Sequence, residues 1–211
     1  MSKIEVNKQQ KQQSLLDSAF HLFIENGFAE TSISDIVKRA GVAKGTFYLY
    51  FKDKPDILNR LTTAKARQVF QIAYAHLKEE QALEEDSEVL SGFEDQIIFI
   101  INDVLDQLAD NKTLLLLLSK NLGWGLFREA VLYKEGEIDY PVPSLLDQLV
   151  KASGYIYEQP ETMLYLIVEL ISGTAYNAIL MSQPMSLDEL KAPLFEAVRA
   201  IMRSFRIEKE S

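Results

Sequence analysis

The 211 residues are 47% hydrophobic and 25% charged, enough for a small module plus a larger domain with a sizeable core, and too apolar for a disordered chain. The chain has no cysteine, which excludes disulfides, thiolate metal sites and a thiol nucleophile, and suits a reducing cytoplasm. The net charge of -9 is unevenly placed: residues 1–60 hold 9 Lys or Arg against 7 Asp or Glu, a balance of +2, and the remainder 13 against 24, a balance of -11. A basic excess at one end of an acidic chain permits salt-sensitive contact with a polyanion while the acidic body is held away.

The amino-terminal stretch MSKIEVNKQQKQQS is polar and carries no apolar run behind a basic start, so secretion is not expected and a cytoplasmic location is. Leu15, Leu16, Ala19, Leu22 and Phe23 then recur at helical spacing until Gly27 closes the segment. Thr31 to Lys54, TSISDIVKRAGVAKGTFYLYFKDK, reads as two short helices around a glycine turn, the layout of a helix-turn-helix that reads DNA. Ser32 caps the first, with Asp35 three positions on to reach back to the free amides. Ile33, Ile36, Val37 and Ala40 form its inward stripe, and Gly41 supplies the left-handed conformation that ends it. The second helix is expected over Lys44 to Phe51, with Phe47 and Phe51 four apart on the buried face and Lys44, Gly45, Thr46, Tyr48 and Leu49 pointing elsewhere. Asp53 caps a third helix that tolerates Pro55 in its first turn.

Pro55 to Leu83 reads as a long connecting helix ending in an acidic loop at Glu84 to Glu88. Ile97, Ile100, Ile101, Val104, Leu105 and Leu108 recur at helical spacing, and a further helix covers Lys112 to Asn121. Gly123 and Gly125 are expected to bend the chain before a helix near Leu126 to Tyr133; Tyr140 to Pro143 reads as a loop before a helix from Ser144 to Ser153. Neither Leu114 to Leu118 nor Ile97 to Ile101 approaches the roughly 20 apolar residues of a membrane span, so no membrane partner is expected. Between Glu161 and Met181 the only formal charges are Glu161 and Glu169, and a helix so apolar around its circumference must in water be buried on two sides. Gly173, Ala175 and Ala178 would allow close approach of a second subunit. After Pro184, Leu194, Phe195, Val198, Ile201, Met202 and Phe205 form one stripe; Pro193 leaves open a short turn followed by a helix, or one helix kinked there.

The segment AFHLFIENGF at Ala19 to Phe28, followed by TSISDIVKRAGVAKGTFYLYF, resembles the TetR family of bacterial transcriptional regulators over roughly the first 60 residues. The resemblance implies an all-α protein with a three-helix DNA-binding domain at 1–54 and a larger helical ligand-binding and dimerisation domain at 55–211. It implies that Lys44 and Gly45 approach bases or nearby backbone, that Thr46 and Leu49 meet base edges, and that Tyr48 and Tyr50 contact phosphates. Thr31 and Lys54 would grip the sugar-phosphate backbone, contacts that position rather than specify, and Ser32 is a further DNA-binding candidate. The chain departs from the family pattern at Ala43, often a serine that caps the recognition helix. The partners implied are a double-stranded, near-palindromic operator, a second copy of the chain through the last two long helices, and an unidentified small-molecule effector that releases a repressor. No cofactor or metal is implied.

Each singled-out residue also has a plainer reading: a surface lysine is commonly a solvated charge, and exposed tyrosines often cover a neighbouring core. Trp124, Glu169, Tyr176 and Asn177 are the candidates for a ligand cavity, and all but Glu169 better suit a core. Glu169, a lone carboxylate in an apolar helix, would need a partner, water or an interface to offset its desolvation. An enzyme is not expected, because His21 and His76 fall in separate helices without metal-ligand spacing and no acid-base pair stands out. The closer alternative is a DNA-organising protein that responds to no ligand.

Overall fold

The computed structural model describes residues 3–83, 92–132 and 155–207, and helices dominate them. The expected loops at Glu84 to Glu88 and Tyr140 to Pro143 and the helix from Ser144 to Ser153 lie outside the described residues. The chain divides into two compact units, Met1–Ala64 and Lys65–Ser211, a division that falls inside a helix.

In the first unit, α1 runs Lys3–Glu25 and buries Leu15, Ser18, Ala19, Leu22 and Phe23 along one face. Its start lies well before that stripe, because the Lys and Gln residues ahead of Leu15 lose little rotamer freedom in a helix and contain no Gly or Pro to stop it. Gly27, at φ 85, ends the segment. α2, Ile33–Ala40, opens on a capping box: Asp35 N–H donates to Ser32 Oγ at 3.2 Å, and Ser32 N–H donates to Asp35 Oδ2 at 2.9 Å. The side-chain and backbone hydrogen bonds from Ser32 hold the Asp35 carboxyl below its usual range. Gly41 closes α2 at φ 67, with Val42 N–H returning to Val37 O at 3.0 Å. α3 spans Lys44–Tyr48, shorter than expected, although Phe51 N–H still reaches Phe47 O at 2.9 Å. α4, Lys54–Leu83, begins where Asp53 Oδ1 accepts from Asp56 N–H at 2.8 Å. Its first turns bury Ile57 and Leu61. α1 packs on α2 and α2 on α3.

In the second unit, α5 (Phe93–Asp110), α6 (Lys112–Asn121, capped by Asn111) and α7 (Trp124–Phe127) precede a π-helical turn at Arg128–Leu132. The bend falls at Leu122 and Gly123; Gly125 lies inside α7 and does not bend the chain as expected. Arg67 reaches the π turn, its guanidinium donating to Ala130 O at 3.2 Å and Glu129 O at 3.1 Å. α8, Pro160–Met181, and α9, Leu187–Ser204, pack on each other. α9 starts with a capping box between Ser186 and Glu189 and runs through Pro193 as one helix, which removes the alternative of a separate turn. A small antiparallel ribbon, β1 (Ile156–Tyr157) with β2 (Arg206–Ile207), leaves no cue in the sequence, since two-residue strands carry no periodicity.

The main core joins Ala73 and Leu77 of α4 to Ile100, Ile101 and Leu105 of α5, Met163, Ile167 and Ala175 of α8, and Leu194, Val198 and Met202 of α9. A second cluster gathers Ala66, Val69, Leu118, Phe127 and Ala130. Arg199 and Arg203 bind Asp95 and Glu94 at 2.8 and 2.9 Å, tying the end of α9 to the first turn of α5.

Across α4 and α5, His76 Nδ1 lies 2.6 Å from Asp103 Oδ1. Hydrogen bonding to Asp103, then the Asp103 charge, raises the His76 pKa above its ordinary 6.5. A raised pKa in the folded state adds stability that is complete below 6.5 and is lost as pH rises through the folded value. His76 is half exposed, so the effect is small. Thermal melts of His76→Gln should show a weaker fall in stability between about pH 6 and 8 than the parent chain does; identical pH dependence would contradict the pair.

Candidate nucleic-acid interface

α3 is fixed by two aromatic side chains. Phe47 and Phe51 are 0% and 1% exposed, with ring centroids 5.4 Å apart, and they share the inward face by their four-residue spacing. At about 100° per residue, Gly45 and Leu49 then point directly away from the core, with Thr46 and Tyr48 to either side. Burial follows that geometry: Lys44 and Gly45 are exposed, Tyr48 and Leu49 are 54% and 77% exposed, and Thr46 and Tyr50 are half-buried. Ala43 occupies the N-cap with extended backbone and no side-chain cap bond, a loss of about 0.5–2 kcal/mol against serine. A Cβ at Gly45 would meet nothing within 4 Å, so the fold itself does not require glycine there.

Thr31 and Lys54, expected to grip a sugar-phosphate backbone, and Ser32, a further candidate, have partners within the chain. Thr31 is 2% exposed, and its hydroxyl is directed at Gly27 O (2.8 Å) and Leu22 O (3.1 Å), which closes the α1–α2 turn. Lys54 Nζ donates to the carbonyls of Phe28, Ala29 and Thr31 at 2.6, 3.2 and 2.8 Å and lies 4.4 Å from the Phe28 ring centroid. An ammonium has three protons, and all three are taken. Ser32 is exposed, but its hydroxyl donates to Asp35 Oδ2 at 2.6 Å. The surface that remains is Lys44, Gly45, Thr46, Tyr48, Leu49 and Tyr50. Lys52 is a further exposed cation four residues beyond α3, its amide held by Asp56 Oδ2 at 2.8 Å, and the pattern FKDK was its cue.

The four candidate ligand residues do not converge. Trp124 is half-buried, stacked on Phe127 at 5.4 Å and edge-on to Tyr165 at 5.2 Å. Tyr176 is half-buried, while Glu169 and Asn177 are exposed on α8. α8 turns Glu169 outward within the chain, where water or an interface can meet its carboxylate. None of the four lines the open groove along α1 formed by Gln10, Gln13, Asp17, His21 and Arg39. Among the described residues no group of three or more His, Asp or Glu is placed to hold a metal.

An amino-terminal helix-turn-helix followed by a larger helical unit defines the class, and residues 15–61 match the model for bacterial regulatory proteins of the tetR family. Those residues carry the amino-terminal domain of the TetR family of bacterial regulatory proteins. The chain is 40% identical over 78 residues to the fatty acid metabolism regulator protein of Bacillus subtilis (strain 168), which covers 37% of this chain and 40% of that protein. The match thus spans well under half the length of that relative. Over the whole fold it is similar to the fatty acid degradation regulator FadR from Bacillus halodurans (TM-score 0.59, 23% identity, 89% of this chain and 94% of that one). It is likewise similar to FadR from Bacillus subtilis in complex with stearoyl-CoA (TM-score 0.56, 22% identity, 88% and 96% covered).

Proposed function

We propose that the protein is a homodimeric, sequence-specific repressor that leaves a near-palindromic operator when a small molecule binds its larger unit. The observation that carries this reading is the outward surface of α3, where Lys44, Tyr48 and Leu49 stand exposed behind a fully buried Phe47 and Phe51. A short helix locked by two aromatic anchors presents a few side chains at fixed positions, which is what reading base edges in a major groove requires. Lys44 supplies charge and Tyr48 a hydroxyl to phosphate, while Gly45 admits the duplex close to the helix backbone. The protein then works in the cytoplasm, where the DNA is.

The test is a mobility shift on near-palindromic fragments from the region upstream of its own gene. Lys44→Ala and Tyr48→Ala should each weaken the shift at least about tenfold with helix content unchanged, since both side chains project into solvent. Retention of full affinity by both variants overturns the reading. Gly45→Ala should separate stability from function. Alanine is favoured over glycine in a helix by about 0.5–1 kcal/mol, so the melt should hold or rise while DNA affinity falls. Unchanged affinity would mean that nothing approaches the helix there.

The dimer surface in this reading is the outward face of α8 with α9. An 18-residue window of α8 has a mean hydropathy of 1.5, yet only 22% of it is buried within the chain. By length and composition alone such a helix could cross a membrane. A partner helix fits better, since Met163, Ile167, Ala175 and Ala178 already pack inward and the outward face mixes Leu166 and Met181 with Glu169 and Asn177. Because a solved relative holds stearoyl-CoA, long-chain acyl-CoA is the first effector to test. Release requires differential affinity for the two dimer shapes, so equal operator affinity with and without saturating acyl-CoA removes that effector.

A further inference from the structure

The outward side of α3 carries an aliphatic group that the fold does not use. Leu49 is 77% exposed, more than any other large hydrophobic side chain among the described residues. It lies opposite Phe47 and Phe51, and its backbone, at φ -74 and ψ -23, is one that any residue adopts. Neither packing nor backbone geometry therefore asks for leucine at this position. Gly45 lies four residues earlier on the same side, with open space where its Cβ would be, so the leucine stands beside bare helix backbone.

In the major groove almost every group on a base edge is a hydrogen-bond donor or acceptor, and the exception is the C5 methyl of thymine. The polar ends of Lys44, Thr46 and Tyr48 suit the donors, acceptors and phosphates. Leu49 suits the methyl. Resting on the reading of α3 as the DNA-facing helix, we propose that Leu49 specifies one thymine in each half-site by packing on its C5 methyl, with Gly45 leaving room for that base to approach. Uracil presents the same hydrogen-bonding edge without the methyl, so the contact is separable from every other interaction at that base pair.

The experiment starts from duplexes selected by the full-length protein from a randomised library and replaces each thymine of the half-site in turn by deoxyuridine. At one position per half-site the loss should be about 4-fold, the worth of one buried methyl, and about 15-fold when both symmetry-related thymines are changed. Leu49→Ala, a change at an exposed side chain that should leave the melt unaltered, should bind the thymine and uracil forms equally. If duplexes are selected but no position is methyl-sensitive, or if the sensitivity survives Leu49→Ala, the inference is overturned. If no duplex is selected, the DNA-binding reading itself falls and takes this assignment with it.

Discussion

Lys54→Met should weaken operator binding by about 30- to 150-fold while leaving its dependence on salt unchanged. The lysine ammonium gathers three carbonyls from the loop between α1 and α2, those of Phe28, Ala29 and Thr31, and sits over the Phe28 ring. Methionine keeps the apolar stem and removes the donors and the charge. Hydrogen bonds to a charged group contribute about 1.5–3 kcal/mol, and because two of these three are solvent-exposed, the net loss should be about 2–3 kcal/mol rather than their sum. That loop sets the start of α2, and α2 packs on α3, so loosening it misplaces the reading surface without removing a phosphate contact. A lysine that neutralised a phosphate would on substitution reduce the slope of log affinity against log salt by about 0.9 per site. Anisotropy titrations between about 50 and 200 mM salt separate the two roles: Lys44→Ala should flatten the slope and Lys54→Met should not. A flattened slope for Lys54→Met would return that lysine to the phosphate contacts.

Gly173→Arg should abolish dimerisation and reduce operator affinity more than about 100-fold, because two linked half-site contacts become one. A Cβ at Gly173 meets nothing within 4 Å in the chain, so the substitution creates no clash within one subunit, and glycine to arginine in a helix is favourable by up to about 1 kcal/mol. Any penalty must come from outside the chain. Leu166→Arg, at a residue 42% exposed and two turns away on the same face, should give the same result. Light scattering on the variant should report the monomer mass, with helix content by circular dichroism unchanged. A dimer that survives both substitutions would place the interface elsewhere.

These predictions draw on features of unequal legibility. The Ser32–Asp35 box, the left-handed Gly41, the Phe47–Phe51 anchor and the Lys112–Asn121 helix were readable because each depends on residues at most five apart. The partners that Lys54 and Thr31 find within the chain were not readable, because they are backbone carbonyls supplied by a tertiary turn, up to 26 residues away, and carbonyls leave no trace in a residue pattern. The direction of Glu169 was hidden for another reason. A helix apolar on nearly all sides gives no stripe by which to tell which side its own domain covers, so the outward direction of that carboxylate could not be inferred. The continuity of α9 through Pro193 had a cue that went unused, the Ser186-x-x-Glu189 capping box, which starts the helix well before the proline. The long polar start of α1 lacks an apolar stripe altogether and rests on propensity alone.

The central claim is that the exposed surface of α3, paired by symmetry, reads duplex DNA. Selection from a randomised duplex library by the intact protein at moderate salt should enrich a near-palindrome whose half-site centres lie about one helical turn, 34 Å, apart, and Lys44→Ala should not enrich it. An intact, assembled preparation that enriches no duplex over the starting pool would contradict the account.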